Sequence, residues 1–96
     1  MYSLDSGIEL HNEAPDTFWI TSKKRKQNLK ENDTVKVVFR EKGNAVERMW
    51  VKVTKVIRNK ELLYFEGKLE NQPYHLQSIK YEDFVEFNED HIIDIY

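Results

Sequence analysis

Glu47-Arg48-Met49-Trp50-Val51-Lys52-Val53 is the longest clean alternation of apolar and polar residues in the chain. Successive side chains of a β-strand point to opposite faces. Met49, Val51 and Val53 therefore share one side, and Arg48, Trp50, Lys52 and Thr54 the other. The first side is an ordinary core face, continued by Ile57 after an interruption at Lys55. The second is charged apart from Trp50. This pattern dictates a half-buried strand. Trp50 then has two readings. In one it lies beneath a short N-terminal helix or a loop, with the stems of Arg48 and Lys52 packed across its ring. In the other it is an exposed aromatic platform flanked by cations, as in peptide or nucleic-acid readers.

Further strand patterns surround this one. Thr34 to Arg40 places Val35, Val37 and Phe39 on one face and Lys36 and Arg40 on the other. Glu41-Lys42-Gly43-Asn44 reads as the turn between them. Arg58-Asn59-Lys60-Glu61 is a second hairpin turn, leading into Leu62 to Leu69, where Leu63, Phe65 and Leu69 share a face. Gly67 falls between them, and a glycine inside a strand signals a bulge or a close backbone approach. Together these three strands form an antiparallel meander. Glu70-Asn71-Gln72-Pro73 breaks the sheet, and Tyr74 to Ser78 reads as a short extended piece. Phe84 to Phe87 is another strand. His91 to Tyr96 is a final strand or a helical turn followed by one.

The N-terminal part is less regular. Residues 1–15 read as an arm or a short edge strand on a β-rich core of residues 16–96, with Pro15 opposing a helix running through. Thr17-Phe18-Trp19-Ile20 favours β structure. Thr21-Ser22 then offers an N-cap for a short helix over Lys23 to Lys30, whose only large apolar residue is Leu29. One internal echo stands out. Leu29-Lys30-Glu31-Asn32-Asp33-Thr34-Val35 matches Ile79-Lys80-Tyr81-Glu82-Asp83-Phe84-Val85 in an apolar residue, Lys, Asp and Val at equal spacing. Its physical reading is two similar turns into strands, each capped by an acidic side chain.

Bulk properties narrow the class. With 96 residues the chain forms one domain with one modest core. A third of it is charged and 40% is hydrophobic, the balance of a globular chain and not a disordered one. A formal net charge of −2 gives no bulk argument for nucleic acid or acidic lipid. There is no cysteine, which excludes disulfides and thiolate metal sites and is compatible with a cytoplasmic location. No apolar run approaches the roughly 20 residues of a membrane span, and Met1-Tyr2-Ser3-Leu4-Asp5 does not open like a signal peptide. Several short strands with close turns fit a mainly β domain (α+β by count): a small antiparallel, partly open SH3-like barrel or rolled sheet with one short N-terminal helix.

Three blocks in order resemble a known bacterial family, domain of unknown function 2314. They are Glu47-Arg48-Met49-Trp50-Val51, then Gly67-Lys68-Leu69-Glu70-Asn71-Gln72-Pro73, then Lys80-Tyr81-Glu82-Asp83-Phe84-Val85-Glu86-Phe87. Members resemble one another in a Met-Trp-Val strand, a Gly-x-Leu-x-Asn-x-Pro segment and a turn into a strand with Asp before Val. The similarity runs from about Leu29 to Ile93. Glu82 departs from it, since the family often has Gly before that Asp. The resemblance implies a bacterial or phage-borne protein and brings no activity, cofactor or partner with it.

The residues themselves carry little chemistry. His11, His75 and His91 lack the close spacing of zinc ligands, so no metal and no cofactor is expected. There is no cysteine nucleophile, Gly-x-Ser-x-Gly elbow or glycine-rich phosphate loop. Glu47, Glu66 and Glu70 read as solvated carboxylates even if the sheet brings them together. The expectation is therefore a non-enzymatic cytoplasmic module that binds a protein partner or small ligand. Its surface would comprise Arg48, Trp50, Asn71, Pro73 and Tyr74, an aromatic beside cations and next to a proline-rigid loop. The alternative is a single-stranded nucleic-acid-binding domain using the basic cluster Lys23, Lys24, Arg25 and Lys26, with Trp19 or Trp50 stacking on bases.

Overall fold

The computed structural model describes residues 1–16, 21–43, 45–59 and 61–96. In chain order the elements are β1 (Tyr2–Leu4), α1 (Gly7–Glu13), α2 (Lys23–Gln27), β2 (Thr34–Glu41), β3 (Ala45–Ile57), β4 (Tyr64–Leu69), β5 (Phe84–Asn88), a 3-10 turn (Glu89–His91) and β6 (Ile92–Ile95). All strand pairs are antiparallel, in the order β1-β2-β3-β4-β5, with β6 also on β2. One edge of β2 carries two short strands in succession. β6 takes Val35 to Val37, and β1 takes Phe39 to Glu41. The 3-10 turn carries the chain from β5, at one end of the sheet, to β6 on β2, so the sheet curls into a small, partly open barrel.

Alternation builds its interior. Val35, Val37 and Phe39 of β2, Met49, Val51 and Val53 of β3, Phe65 and Leu69 of β4, and Val85 and Phe87 of β5 are all buried in one cluster. Phe65 and Phe87 stack with ring centres 5.2 Å apart. Leu29, Leu76 and Ile79 plug the cluster from the loops.

The sheet departs from the simple pattern of β3 after Val53. Val53 pairs with Gly67 but Lys55 with Glu66, so a bulge at Thr54 shifts the phase. The bulge moves Val56 onto the core side and leaves Ile57 40% exposed, a correction to the expected core position of Ile57. Gly67, opposite the bulge, is also a close approach. A Cβ there would stand 2.6 Å from the Lys52 carbonyl oxygen.

The repeated turn is real in three dimensions. Lys30 and Lys80 each donate a backbone N–H to the carboxylate of the Asp three residues on, both at 3.0 Å. Asp33 and Asp83 return backbone bonds to the carbonyls of Lys30 and Lys80. Asn32 and Glu82 take the positive φ of 76° and 71° that a type II turn requires at its third residue. Asn32 then donates to Val53, and Glu82 to Leu69, locking each turn onto the neighbouring strand.

The N-terminal region holds more than an arm or edge strand. β1 is the edge strand, but Gly7–Glu13 is helical, capped by the Ser6 hydroxyl, which accepts the Glu9 N–H at 3.2 Å. The helix packs on β6 and the 3-10 turn, close enough that a Cβ on Gly7 would lie 2.9 Å from Ile93 Cγ2. The second helix sits where expected but is shorter, ending at Gln27, with the Ser22 hydroxyl as its cap. The expected β run at residues 17–20 lies outside the described residues.

Candidate functional site

The outer face of β3 presents Arg48, Trp50, Lys52 and Thr54, and the register sets their neighbours. Lys36 lies directly opposite Trp50, and Thr34 opposite Lys52. On the other side, Lys52 faces Lys68 and Lys68 faces Phe84. Trp50 is half-buried. Its ring meets Tyr96 edge-on, with centres 5.9 Å apart, and the Lys36 ammonium stands 4.7 Å over it. Tyr96 is 86% exposed and is anchored by its backbone N–H on the Thr34 carbonyl at 2.9 Å. Thr34, Trp50, Glu70, Asn71 and Tyr96 together enclose an open cavity of about 300 Å³.

This corrects the expected cover for Trp50. The basic helix α2 does not lie over it, and Leu29, the large apolar residue next to that helix, belongs to the main core. Helix α2 is held at the far end of β3, where the Arg58 guanidinium donates to the carbonyls of Gln27 and Leu29 at 3.1 and 3.2 Å. From Trp50 to Arg58 is roughly 25 Å of extended chain. The C-terminal Tyr96 and cross-strand Lys36 are the actual neighbours.

The expected binding residues are divided. Trp50 and Asn71 line the same cavity, and the Asn71 side-chain oxygen accepts the Trp50 N–H at 2.6 Å. Asn71 thus satisfies a backbone donor of β3 beyond the end of its pairing with β4. Arg48 is exposed on the Trp50 face. Pro73 is half-buried. Tyr74 is 87% exposed, with its ring edge-on to His75 at 4.7 Å. Its backbone, however, is tied to Glu47, a residue of the opposite, core-side face of β3.

That tie belongs to an arrangement the sequence did not announce. The expected extended piece at residues 74–78 is an irregular loop held by two carboxylates. Glu47 accepts the N–H groups of Tyr74 (2.9 Å), His75 and Leu76 (2.8 Å). Glu41 accepts those of Gln77 and Ser78, at 3.0 and 2.8 Å. Five successive donors are thereby satisfied, and Leu76 and Ile79 are pinned into the barrel mouth. Burial raises the Glu47 pKa, but the three N–H donors outweigh it and hold the group below its ordinary value. The Ser78 hydroxyl, with the Gln77 and Ser78 N–H groups, does the same for Glu41. Glu47, Glu66 and Glu70 do not meet. Glu66 stands on the outer face opposite Glu86, and Glu70 at the Trp50 cavity.

The basic cluster is also divided. Lys23, Lys24 and Arg25 are exposed, but Lys26 is 2% exposed against the 3-10 turn. Desolvation lowers its pKa while Asp90 and Glu89 oppose the shift. Lys26 is thus a buried packing group, not part of an open cationic surface. Trp19 lies outside the described residues.

A second depression of about 360 Å³ lies at the other end of the outer face, among Ile57, Tyr64, Glu66, Glu86, Asn88 and His91. Phe65 and Phe87 also line it, but both rings are buried in the core, and Glu66, opposite Glu86, faces Lys55 on its other side. Beside it, His91 Nδ1 accepts the Asn88 N–H at 3.0 Å, and burial lowers the His91 pKa. Among the described residues no group of three or more His, Asp or Glu is placed to hold a metal ion. No described helix is long and apolar enough to cross a membrane.

A family model described as an uncharacterized protein conserved in bacteria matches residues 3–96. The chain belongs to domain of unknown function 2314. The family match covers the edge strand and both helices as well as the three motif blocks, a wider span than Leu29 to Ile93. In this member the Met-Trp-Val strand builds the Trp50 face. The Asn of the Gly-x-Leu-x-Asn-x-Pro segment is Asn71, which caps Trp50. Glu82 adopts the left-handed conformation that glycine takes most easily. Neither the curated proteins nor the solved structures contain a match.

Proposed function

We propose that this domain is a non-enzymatic binding module whose recognition surface is the Trp50 cavity and the outer sheet face around it. One observation carries the reading. An edge-to-face Trp50–Tyr96 pair walls an open cavity with Thr34, Glu70 and Asn71 at its rim. Rings exposed on a rigid sheet with a few polar groups converging beside them are the usual make-up of a recognition site. At about 300 Å³ the cavity is near the lower limit for small-molecule sites, so it suits one ring or one side chain of a larger ligand. Four groups with perturbed pKa support binding over catalysis, because their surroundings are internal to the fold. Glu41 and Glu47 hold a loop, His91 caps a turn and Lys26 is packed away. A cysteine-free chain also suits the reducing cytoplasm.

Amide chemical-shift mapping with a small library of aromatic, acidic and aliphatic fragments tests the site. Shifts should cluster on Thr34, Trp50, Glu70, Asn71 and Tyr96 and disappear in Tyr96→Ala. Shifts clustered on Ile57, Tyr64 and His91, or none anywhere, would overturn the assignment.

A further inference from the structure

We infer that the outer face of β2, β3, β4 and β5 binds single-stranded nucleic acid, with Trp50 and Phe84 as stacking platforms and Lys36, Lys52 and Lys68 as phosphate contacts. This deepens the binding-module reading and rests on it. The argument starts from a unit that occurs twice. Lys36 stands 4.7 Å over the Trp50 ring, and Lys68 stands 5.5 Å over the Phe84 ring. Each pair couples a flat apolar surface to an ammonium group. That is what one nucleotide needs, a face for its base and a cation for its phosphate.

The two units are linked by Lys52, which faces Lys68 directly across the β3–β4 ladder. Like charges placed opposite one another cost stability, and a bound anion relieves that cost. Phe84 is 68% exposed on a strand whose alternate residues are core, so its ring contributes little to packing. From strand spacing and rise, Trp50 and Phe84 are about 12 Å apart along a diagonal through Lys52 and Lys68. Tyr96 extends the aromatic row beyond Trp50. The Glu66–Glu86 pair bounds the patch on one side; near Trp50, Glu70 lines the cavity and Asp94 lies directly across from Lys36, so Lys52 and Lys68 are the cations whose cross-strand neighbours carry no acid. A polyanion is thereby confined to the diagonal. Rings alternating with cations favour a nucleic-acid strand over an acidic peptide, which would use the cations and leave the rings idle. The basic helix α2 plays no part, being at the other end of β3 with Lys26 buried.

The test is fluorescence titration of the Trp19→Phe protein, in which Trp50 is the sole tryptophan, with an oligothymidylate of about 20 nucleotides. Stacking should quench Trp50. Three phosphate contacts predict a log–log salt slope of about −2, so that raising salt from about 50 to about 200 mM weakens binding roughly 20-fold. Lys52→Glu with Lys68→Glu should abolish the quench, and Phe84→Ser should weaken binding about tenfold while the fold is retained by circular dichroism. Lys23→Glu with Lys24→Glu should change nothing. Loss of binding in that α2 variant, or equal quenching by polyglutamate, would overturn the inference. Absence of oligothymidylate binding at low salt, with fragments still mapping to the Trp50 cavity, would overturn it and leave the module reading standing. Failure of both probes would remove both.

Discussion

Glu47→Ala probes the feature on which the barrel mouth depends. The wild-type carboxylate accepts three backbone N–H groups, those of Tyr74, His75 and Leu76. Hydrogen bonds to a charged group contribute about 1.5–3 kcal/mol each, so losing three sets an upper bound of roughly 5–9 kcal/mol. The real cost is smaller, because Tyr74 and His75 are exposed and their N–H groups return to water. Leu76 is buried, and its N–H is the donor that stays shielded when the acceptor is removed. The expected destabilisation is therefore about 2–3 kcal/mol, a fall in Tm of roughly 10–20 °C for a domain of this size. Urea unfolding measures the total, and hydrogen exchange at residues 74–76 locates it. Glu47→Gln, which keeps one acceptor oxygen, should fall between wild type and alanine. A loss below about 0.5 kcal/mol with unchanged exchange at those amides would refute the assignment of the loop clamp to Glu47.

Four further outcomes follow from the same geometry. Glu82→Gly should stabilise the domain by about 0.5–1 kcal/mol in urea unfolding, since relief of a left-handed non-glycine residue exceeds the entropy glycine adds to the unfolded chain; a destabilised variant would contradict this. Gly67→Ala should cost about 3 kcal/mol, because its Cβ would press on the Lys52 carbonyl and Val51; a cost under about 1 kcal/mol would show that the bulge yields. Trp50→Ala should cost about 2 kcal/mol, less than the ~3–5 of a fully buried aromatic, because the ring is half-exposed; a cost in the fully buried range would count against an open Trp50 site. Stability should fall in two acid steps. The folded state disfavours protonated His91, so its contribution is complete above pH 6.5 and is lost as pH falls below that value. Glu41 and Glu47 are held below 4.5, so their contribution is complete above that pH and is lost beneath it. The step starting at pH 6.5 should vanish in His91→Asn; its persistence there would mean that another group carries it.

Much of the sheet was legible because alternation and turn chemistry are local. β2, β3, β4 and β5 follow from period-two patterns, and the paired turns at Asp33 and Asp83 from a seven-residue echo. Helix α1 also carries a local signal. Ser6 followed three residues later by Glu9 is the sequence form of a capping box, and Pro15 just beyond the end is a stop signal. The bulge at Thr54 was half-legible, through Lys55 breaking the core face and Gly67 lying opposite. The Glu41 and Glu47 clamp had no signal, because a carboxylate on a strand looks the same whether it meets water or a distant loop.

The Met-Trp-Val strand shows where the division falls. The sequence by itself determined that this stretch is a strand, that Trp50 shares a face with cations, and that a small β domain forms around it, because side-chain alternation is a property of neighbouring residues. Only the tertiary structure decided what stands beside that ring. Lys36 comes from the register with β2, Tyr96 from β6 closing on the same strand, and Lys68 and Phe84 from two strands further along. Those neighbours are set by long-range pairing and by the curl of the sheet, which no local pattern encodes. The same pairing buried Lys26 and removed the basic helix from Trp50, so the cations that matter lie on the sheet.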